Sequence, residues 1–192
     1  MDLIYYKLLT NSAATSSVTP PTARAPHRRP PRPSVSSDAL RVRPVRRADL
    51  EQVIEIDATV TGLQKRNYWL RVFRRYGAVG GREHRHFLVA TAAGQIVGFV
   101  IGEVRDWEFG SPPCGWVFAI DVRPDARQAG IGAGLLAALS AQFRRAGVSK
   151  LRTLLSRDNT LILSFFRSQG MMAGTLMSLE MDLSPDAATV AP

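Results

Sequence analysis

The feature that most restricts the fold of this sequence is a helix that begins with glycines. The segment VRPDARQAGIGAGLLAAL, residues 122–139, ends with leucines such as Leu135 and Leu139 that are spaced for one buried helix face. Its first turns contain three glycines: Gly130, Gly132 and Gly134. Each glycine inside a helix costs about 1 kcal/mol relative to alanine. Some other interaction must therefore offset the cost of starting the helix in this way.

The glycines follow a strand-like segment and Pro124, so they lie where a strand turns into a helix. The first four N–H groups of a helix have no intrahelical acceptor, and the helix dipole adds about half a positive charge at that end. Without β-carbons, the backbone can touch a phosphate directly. The junction therefore predicts an anion site for a phosphate. The structural alternative is a tight turn whose glycines serve only helix packing.

Two common phosphate-binding motifs do not fit this junction. A P-loop requires Gly-Lys-Ser/Thr after its spacer, whereas Ala133 follows Gly132 here. A dinucleotide-binding fold uses G-x-G-x-x-G on its first strand–helix unit, whereas this segment reads G-x-G-x-G and lies late in the chain. The phosphate ligand therefore belongs to another class.

The segment resembles motif A of the GNAT (GCN5-related N-acetyltransferase) superfamily, V-x-P-x-x-R-x-x-G-x-G followed by an aliphatic helix. Five residues match this motif: Val122, Pro124, Arg127, Gly130 and Gly132. A second segment, NTLILSFFRSQGM at residues 159–171, is similar to the family's N-x-x-A-x-x-L-Y-x-x-x-G-F segment. Asn159 and Gly170 fall on its family positions. The resemblance covers about residues 40–183.

Hydrophobic periodicity predicts the element order β-α-α-β-β-β-α-β-α-β. Strands are expected at residues 40–45, 86–104 (two strands with a turn near Ala93 and Gly94), 115–122, 150–156 and 175–183. Helices are expected at residues 48–60, 64–77, 130–146 and 160–169. The fold class is therefore α/β. The resemblance implies a GNAT fold, with a mixed and mostly antiparallel sheet, helices on both faces, and a splay at the motif A strand.

The chain ends differ in composition from this central part. Residues 10–37 are rich in Ser, Thr, Pro and Arg and almost lack large apolar residues, which is typical of disorder. We therefore expect a disordered N-terminal tail over residues 1–38, a GNAT domain over residues 39–184, and a disordered C-terminal tail over residues 185–192.

Composition restricts the cellular setting and the partners. The single cysteine, Cys114, excludes an internal disulfide and suits a reducing cytoplasm. No apolar run approaches the roughly 20 residues that span a bilayer, and no spacing of metal ligands is present. The formal charge of +9 allows an anionic ligand, but no aromatic-and-basic motif indicates nucleic-acid binding. We expect a cytoplasmic monomer or homodimer without membrane, metal or nucleic-acid partners. A weaker alternative is DNA binding by the arginine-rich tail.

The resemblance implies that the phosphate ligand is acetyl-CoA. The backbone expected to hold its pyrophosphate belongs to Arg127, Gln128, Gly130, Ile131, Gly132 and Ala133. The pantetheine arm is implied to lie along the backbone of Ile120 and Val122, with an N–H group near Ile120 polarising the acetyl carbonyl. Asn159 is implied to bond the pantetheine arm, and it fits equally well as the N-cap of the last helix.

The implied activity is transfer of the acetyl group of acetyl-CoA to an amine by direct attack in a ternary complex. The acceptor is a protein N-terminus, a lysine or a small-molecule amine. This reaction needs groups that handle protons, yet the family tyrosine position is occupied by Phe166. The head of the motif A strand, near Cys114 and Gly115, lacks the glutamate of some family members. Glu103 and Asp121 are the candidate catalytic replacements, and each also fits as an ordinary structural charge.

Two questions stay open at the level of the sequence. Acceptor specificity is expected from residues 57–69, where Asp57 fits a cationic amine and fits equally as part of an ordinary helix end. The missing tyrosine and glutamate also allow a GNAT-fold sensor that holds acyl-CoA without turnover.

Overall fold

The structure is a computed structural model that describes residues 40–77, 84–181 and 183. The two tails expected at residues 1–38 and 185–192 lie outside the described residues. Within the described ranges, none of the helices combines the length and apolar character needed to cross a bilayer.

Nine of the ten predicted helices and strands form, most with slightly narrower bounds. The strands are β1 (Arg41–Pro44), β2 (Arg85–Ala92), β3 (Gln95–Arg105), β4 (Cys114–Val122) and β5 (Leu151–Thr153). The helices are α1 (Leu50–Thr61), α2 (Arg66–Tyr76), α3 (Ile131–Arg145) and α4 (Thr160–Ser168).

The five strands form one sheet in the order β1-β2-β3-β4-β5. The first three pairings are antiparallel, and β4 pairs with β5 in parallel. The hairpin between β2 and β3 turns at Ala93 and Gly94, whose φ angles of +48° and +78° are those a two-residue hairpin turn needs. The predicted mixed, mostly antiparallel sheet is confirmed.

Helices cover both faces of the sheet, as predicted. On one side, which we call the α2 face, the Trp69 ring of α2 lies 5.1 Å from Phe99 and 6.1 Å from Phe87. On the other side, a Cβ built on Gly102 would lie 3.0 Å from Leu139 of α3. Glycine at this β3 position therefore lets α3 pack closely against the sheet.

The predicted splay at the motif A strand is confirmed. The pairing of β4 with β5 runs only from Gly115 to Val117, although β4 continues to Val122. On the other edge of β4, the register with β3 shifts so that Phe118 is an extra, bulged residue. A bulge bends and twists a strand, so β4 leaves β5 directly after their last paired residues.

The predicted last strand, at residues 175–183, is wrong. Among the described residues of this segment there is no strand, and the alternating side chains of Met177, Leu179 and Met181 are 78–88% exposed. Alternation produces a strand only where a neighbouring strand offers backbone groups for pairing. The nearest strand in sequence, β5, is only three residues long and offers few of them.

The aspartate at the start of α1 binds a side chain and a backbone group outside the helix instead of capping it. Asp49 directly precedes α1 but does not cap it with its side chain. Its carboxylate accepts hydrogen bonds from the Arg46 backbone N–H at 2.6 Å and from the Arg43 guanidinium at 2.6 Å. Burial raises the pKa of Asp49, but these hydrogen bonds outweigh that effect and hold the pKa below its ordinary value. Asp49 therefore ties β1 to the entry of α1.

Candidate functional site

The loop from β4 to α3 has two residues in the left-handed region of φ. Gly130, the residue before α3, has a φ of +75°, and Gln128 has a φ of +68°. Glycine adopts this conformation without steric cost, whereas a residue with a β-carbon pays roughly 1–2 kcal/mol. Strain of this kind at Gln128 is frequent in ligand-binding loops.

The N-terminus of α3 presents backbone N–H groups at the open end of this loop. The first helical hydrogen bond joins the Gly134 N–H to the Gly130 carbonyl at 2.9 Å. The N–H groups of Ile131, Gly132 and Ala133 therefore precede the helical ladder, and by geometry they have no intrahelical acceptor. A Cβ built on Gly130 would meet nothing within 4 Å. An anion thus has room to approach these donors.

Gly132 has a second reason to be glycine. A Cβ built there would lie 3.1 Å from Cε2 of Phe165 on α4, which is tighter than ordinary contact. The packing alternative considered for the glycines therefore applies at Gly132, while the left-handed backbone explains Gly130. Both reasons are compatible with a phosphate at the helix end.

The backbone of Ile120 and Val122 faces the gap left by β5. The Arg123 N–H donates to the Val97 carbonyl of β3 at 2.9 Å. Backbone groups alternate in direction along an antiparallel strand, so Ile120 and Val122 direct theirs to the opposite edge. There, Arg127 uses its Nε to donate to the Val122 carbonyl at 3.2 Å. The loop residue predicted to bind pyrophosphate is therefore anchored to the strand predicted to bind pantetheine.

Asn159 acts as the N-cap of α4. Its Oδ1 accepts a hydrogen bond from the Ile162 N–H at 3.2 Å, and its side-chain NH₂ group can still donate to a ligand. Further along α4, Phe166 is 2% exposed and packs against Phe165 with 5.1 Å between ring centroids. The position aligned with the family tyrosine is therefore part of the core.

Glu103 lies buried on the α2 face among cationic side chains. Its Oε2 accepts from the Tyr76 hydroxyl at 3.1 Å and from Arg85 Nε at 3.2 Å, and its Oε1 accepts from Arg105 Nε at 3.2 Å. Arg75 lies 3.9 Å from Oε2. Burial, and then the negative charge of Glu103, raise the pKa of Tyr76 above its ordinary range. Both Glu103 oxygens thus already accept hydrogen bonds from the protein.

Asp121 lies farther along the same face, beyond the splay. It is the register partner of Phe99, whose ring contacts α2, and its side chain is half-exposed. Burial, together with the negative charges of Asp57 and Asp121, raises the pKa of Tyr68 to about 12. Asp121 and the Tyr68 hydroxyl are therefore electrostatic neighbours next to the part of β4 that lacks a β5 partner.

Asp57, considered from the sequence as an amine-binding residue, is fully buried. Its Oδ2 accepts from the Trp69 indole N–H at 2.6 Å and lies 3.3 Å from the Lys65 ammonium. These contacts join the end of α1 to the start of α2. An indole partner 12 residues away leaves no short-range pattern, so this hydrogen bond could not be predicted from the sequence.

The comparisons with known proteins agree with this geometry. A profile of the acetyltransferase (GNAT) family matches residues 50–171, which is more than half of the 192-residue chain. No curated protein matches the sequence.

Solved structures with the same fold include several acetyltransferases. The aminoglycoside acetyltransferase AAC(6')-Iy, in complex with the bisubstrate analog CoA-S-monomethyl-acetylneamine, is 20% identical, with a TM-score of 0.65 over 76% of this chain and 99% of that chain. AAC(6')-IG from Acinetobacter haemolyticus is 17% identical, with a TM-score of 0.62 over 75% and 99%. An acetyltransferase of Trypanosoma brucei is 22% identical, with a TM-score of 0.56 over 75% and 99%.

At these identities the structures show a shared fold, and the family profile supplies the activity. The glycine-started helix, the splayed β4 and the matched profile agree with one another. The chain belongs to the acetyltransferase (GNAT) family and is an acetyl-CoA-dependent N-acetyltransferase.

Proposed function

We propose that the chain transfers the acetyl group to a primary amine by direct attack in a ternary complex, with acetyl-CoA lying in the gap beside β4. The observation that carries this proposal is the loss of β5 pairing after Val117 directly upstream of the α3 N-terminus. The outward-facing backbone of Ile120 and Val122 pairs with the pantetheine arm. The N–H groups of residues 131–133 and the left-handed loop at Gln128 and Gly130 hold the pyrophosphate.

The protein supplies electrostatic stabilisation and a proton acceptor. A backbone N–H near Ile120 donates to the acetyl oxygen as negative charge develops there. We assign Asp121 as the group that takes the proton of the attacking amine, directly or through water, because it is half-exposed beside the splay. Glu103 already accepts from three side chains, so we assign it the positioning of those groups.

Protonation of the departing CoA thiolate has no protein donor at the position of the family tyrosine. Phe166 has no exchangeable proton and is buried. Coenzyme A therefore leaves as the thiolate and takes a proton from water. The ammonium first loses one proton to Asp121, and the neutral amine then attacks the acetyl carbonyl. The new amide bond forms as the thioester C–S bond breaks, and the second proton that the nitrogen loses passes to water, which protonates the thiolate.

Substitutions at Gly132 test the acetyl-CoA site. Gly132→Ala adds a Cβ 3.1 Å from Phe165 and therefore reports the packing cost alone. Gly132→Asp adds the same Cβ and a negative charge at the phosphate end of the helix. We expect the Asp variant to bind acetyl-CoA at least about tenfold more weakly than the Ala variant because of charge repulsion.

Calorimetric titration of acetyl-CoA into each variant measures this difference, and free-thiol release with a panel of amines measures turnover. Equal affinity of the two variants would place the phosphate elsewhere. Tight acetyl-CoA binding with no thiol release for any amine would contradict catalysis and favour the sensor hypothesis.

A further inference from the structure

Two neighbouring side-chain donors lie buried without an acceptor. Trp116 is 4% exposed, and neither its indole Nε1 nor Nη1 of Arg152 has a hydrogen-bond partner among the described residues. The two residues are register partners on β4 and β5, and the Arg152 guanidinium carbon lies 6.0 Å from the Trp116 ring centroid. A buried unpaired donor costs about 1–3 kcal/mol. An acceptor with two oxygens would satisfy both groups.

Positive charge is in excess around these donors. The Arg105 guanidinium carbon lies 5.8 Å from the same ring centroid, and we call Arg105, Trp116 and Arg152 the Trp116 cluster. Four guanidinium groups lie in and around this cluster, from Arg75, Arg85, Arg105 and Arg152, and they face two carboxylates, from Glu103 and Glu108.

Arg152 differs from the other three arginines in its partner. Its Nη2 donates to the neutral Ser111 hydroxyl at 3.0 Å rather than to a carboxylate. Its guanidinium therefore has a charge that the described contacts do not neutralise. Arg152 is half-buried as a residue, and its Nη1 atom is buried.

An aromatic loop borders the cluster. Trp107 and Phe109, in the connection from β3 to β4, are 71% and 64% exposed, and their φ angles are +52° and +54°. A bulky residue with positive φ carries steric strain, and such strain is concentrated at binding sites. The Phe109 ring centroid lies 6.4 Å from that of Trp116. The loop thus offers an apolar surface next to the unpaired donors.

The cluster lies on the same face of β4 as Asp121. Trp116 and Asp121 are the register partners of Glu103 and Phe99 on β3, and both partners contact α2. At about 3.3 Å per residue, the two β4 positions are about 15 Å apart. An acceptor that contacts both positions therefore has to be about 15 Å long.

We propose that the Trp116 cluster is the subsite for an oxyanion, a carboxylate or a phosphate, at the end of the acceptor remote from its reacting amine. This inference rests on the proposed transfer to an amine. Arg152 Nη1 and Trp116 Nε1 donate to the oxyanion, and the aromatic loop covers the carbon chain of the acceptor. The substrate class is therefore acidic amines, and the excess guanidinium charge disfavours polycationic acceptors.

Matched pairs of amines test this specificity by free-thiol release. The panel contains β-alanine, 6-aminohexanoate and 8-aminooctanoate with their amides, 6-aminohexyl phosphate with 6-aminohexanol, and neamine as a polycation. We expect at least one longer acid or the phosphate to exceed its neutral partner about tenfold in kcat/KM. Comparison of the carboxylate pairs with the phosphate pair shows which of the two oxyanions the subsite prefers. If the neutral partners or neamine reach the same kcat/KM as the acidic amines, the subsite proposal is overturned.

Two variants assign the preference to the cluster. Arg152→Gln removes the charge, and Trp116→Phe removes one donor but keeps an aromatic ring in the core. We expect each to raise KM for the acidic amine several-fold or more, while kcat, KM for acetyl-CoA and turnover of the neutral partner stay close to wild type. Arg144→Gln, at an exposed position on α3, is the matched control. An equal loss for acidic and neutral amines indicates a structural role and overturns the proposal.

A binding measurement separates the subsite from the proposed function. If no amine is acetylated, the proposed function fails, and 6-aminohexanoate is then titrated calorimetrically into the CoA-saturated protein. Binding that weakens about tenfold in Arg152→Gln supports the subsite. No binding, or equal binding to both proteins, overturns it. Thermal unfolding of both variants checks that they are folded at the assay temperature, because the smaller ring of Trp116→Phe leaves a cavity at a residue that is 4% exposed.

Discussion

Asp121 and Glu103 show how position along one face changes the role of a carboxylate. Glu103 is 5% exposed and is held by a tyrosine and a set of arginines, so its oxygens are already engaged. Asp121 lies past the bulge, half-exposed, where β4 no longer has a β5 partner. General-base chemistry requires a carboxylate within hydrogen-bond reach of the amine, and that requirement favours Asp121.

The role of Asp121 is tested by Asp121→Asn, which keeps the shape of the side chain and removes its basicity. We expect kcat to fall about 10²-fold, the usual scale of general-base catalysis, with little change in KM for acetyl-CoA. Steady-state thiol release measures both constants. Glu55→Gln, on the exposed side of α1, is the control. An Asp121→Asn enzyme with wild-type kcat would remove Asp121 from the mechanism.

Glu103→Gln is expected to act mainly on stability. The amide keeps the shape but weakens the hydrogen bonds from Arg85 and Arg105, whose side chains are 33% and 15% exposed. We expect a loss of about 2 kcal/mol in the free energy of unfolding and a kcat within about threefold of wild type. Urea unfolding and thiol release measure the two effects. A large loss of kcat in a stable protein would instead make Glu103 the base.

At the scale of elements, the proposed acetyl-CoA site draws on the N-terminal ends of α3 and α4. The N-terminal end of α3 has no β-carbons at Gly130 and Gly132, and Asn159 caps the N-terminus of α4. Phe165, in the second half of α4, lies beside Gly132, so α4 packs against the N-terminal turn of α3.

Asn159 variants separate capping from ligand binding. Serine also caps helices well, whereas alanine costs about 1 kcal/mol at an N-cap. We therefore expect Asn159→Ser to keep the unfolding free energy within a few tenths of a kcal/mol, and Asn159→Ala to lose about 1 kcal/mol. Both should raise KM for acetyl-CoA several-fold if the side-chain NH₂ contacts the pantetheine arm. An unchanged KM in the serine variant would restrict Asn159 to capping.

At the scale of the whole molecule, the sheet edge and the first helix are joined by the Asp49 carboxylate. Its pKa in the folded state lies below the ordinary value, so it stabilises the fold above its unfolded-state pKa of about 3.9. That contribution is lost as the pH falls through the lower folded-state pKa.

Asp49→Asn should therefore cost about 1–2 kcal/mol of unfolding free energy at neutral pH, and the cost should shrink as the pH falls below about 4. Urea unfolding across this pH range measures the effect. Glu51→Gln, which removes an exposed carboxylate paired with Arg66, should stay near wild type because solvent screens that pair. A constant difference between Asp49→Asn and wild type at all pH values would contradict the linkage.

The sequence by itself determined the features that depend on neighbours along the chain. The glycines at 130 and 132, Pro124 and the leucine spacing specify a strand, a turn and a helix, because local backbone freedom and 3.6-residue periodicity are encoded within a few residues. The same local signals predicted the β2–β3 hairpin turn, and the motif match added the prediction of an acetyl-CoA loop.

Only the tertiary structure decided which distant groups meet. The Trp69–Asp57 bond, the arginines around Glu103 and the unpaired donors of Trp116 and Arg152 depend on strand register and helix docking, and composition does not encode these. The alternating segment at 175–183 shows the same limit. Its pattern is that of a strand, but a strand exists only when another strand supplies its hydrogen bonds, and that partner is chosen by the fold rather than by the segment.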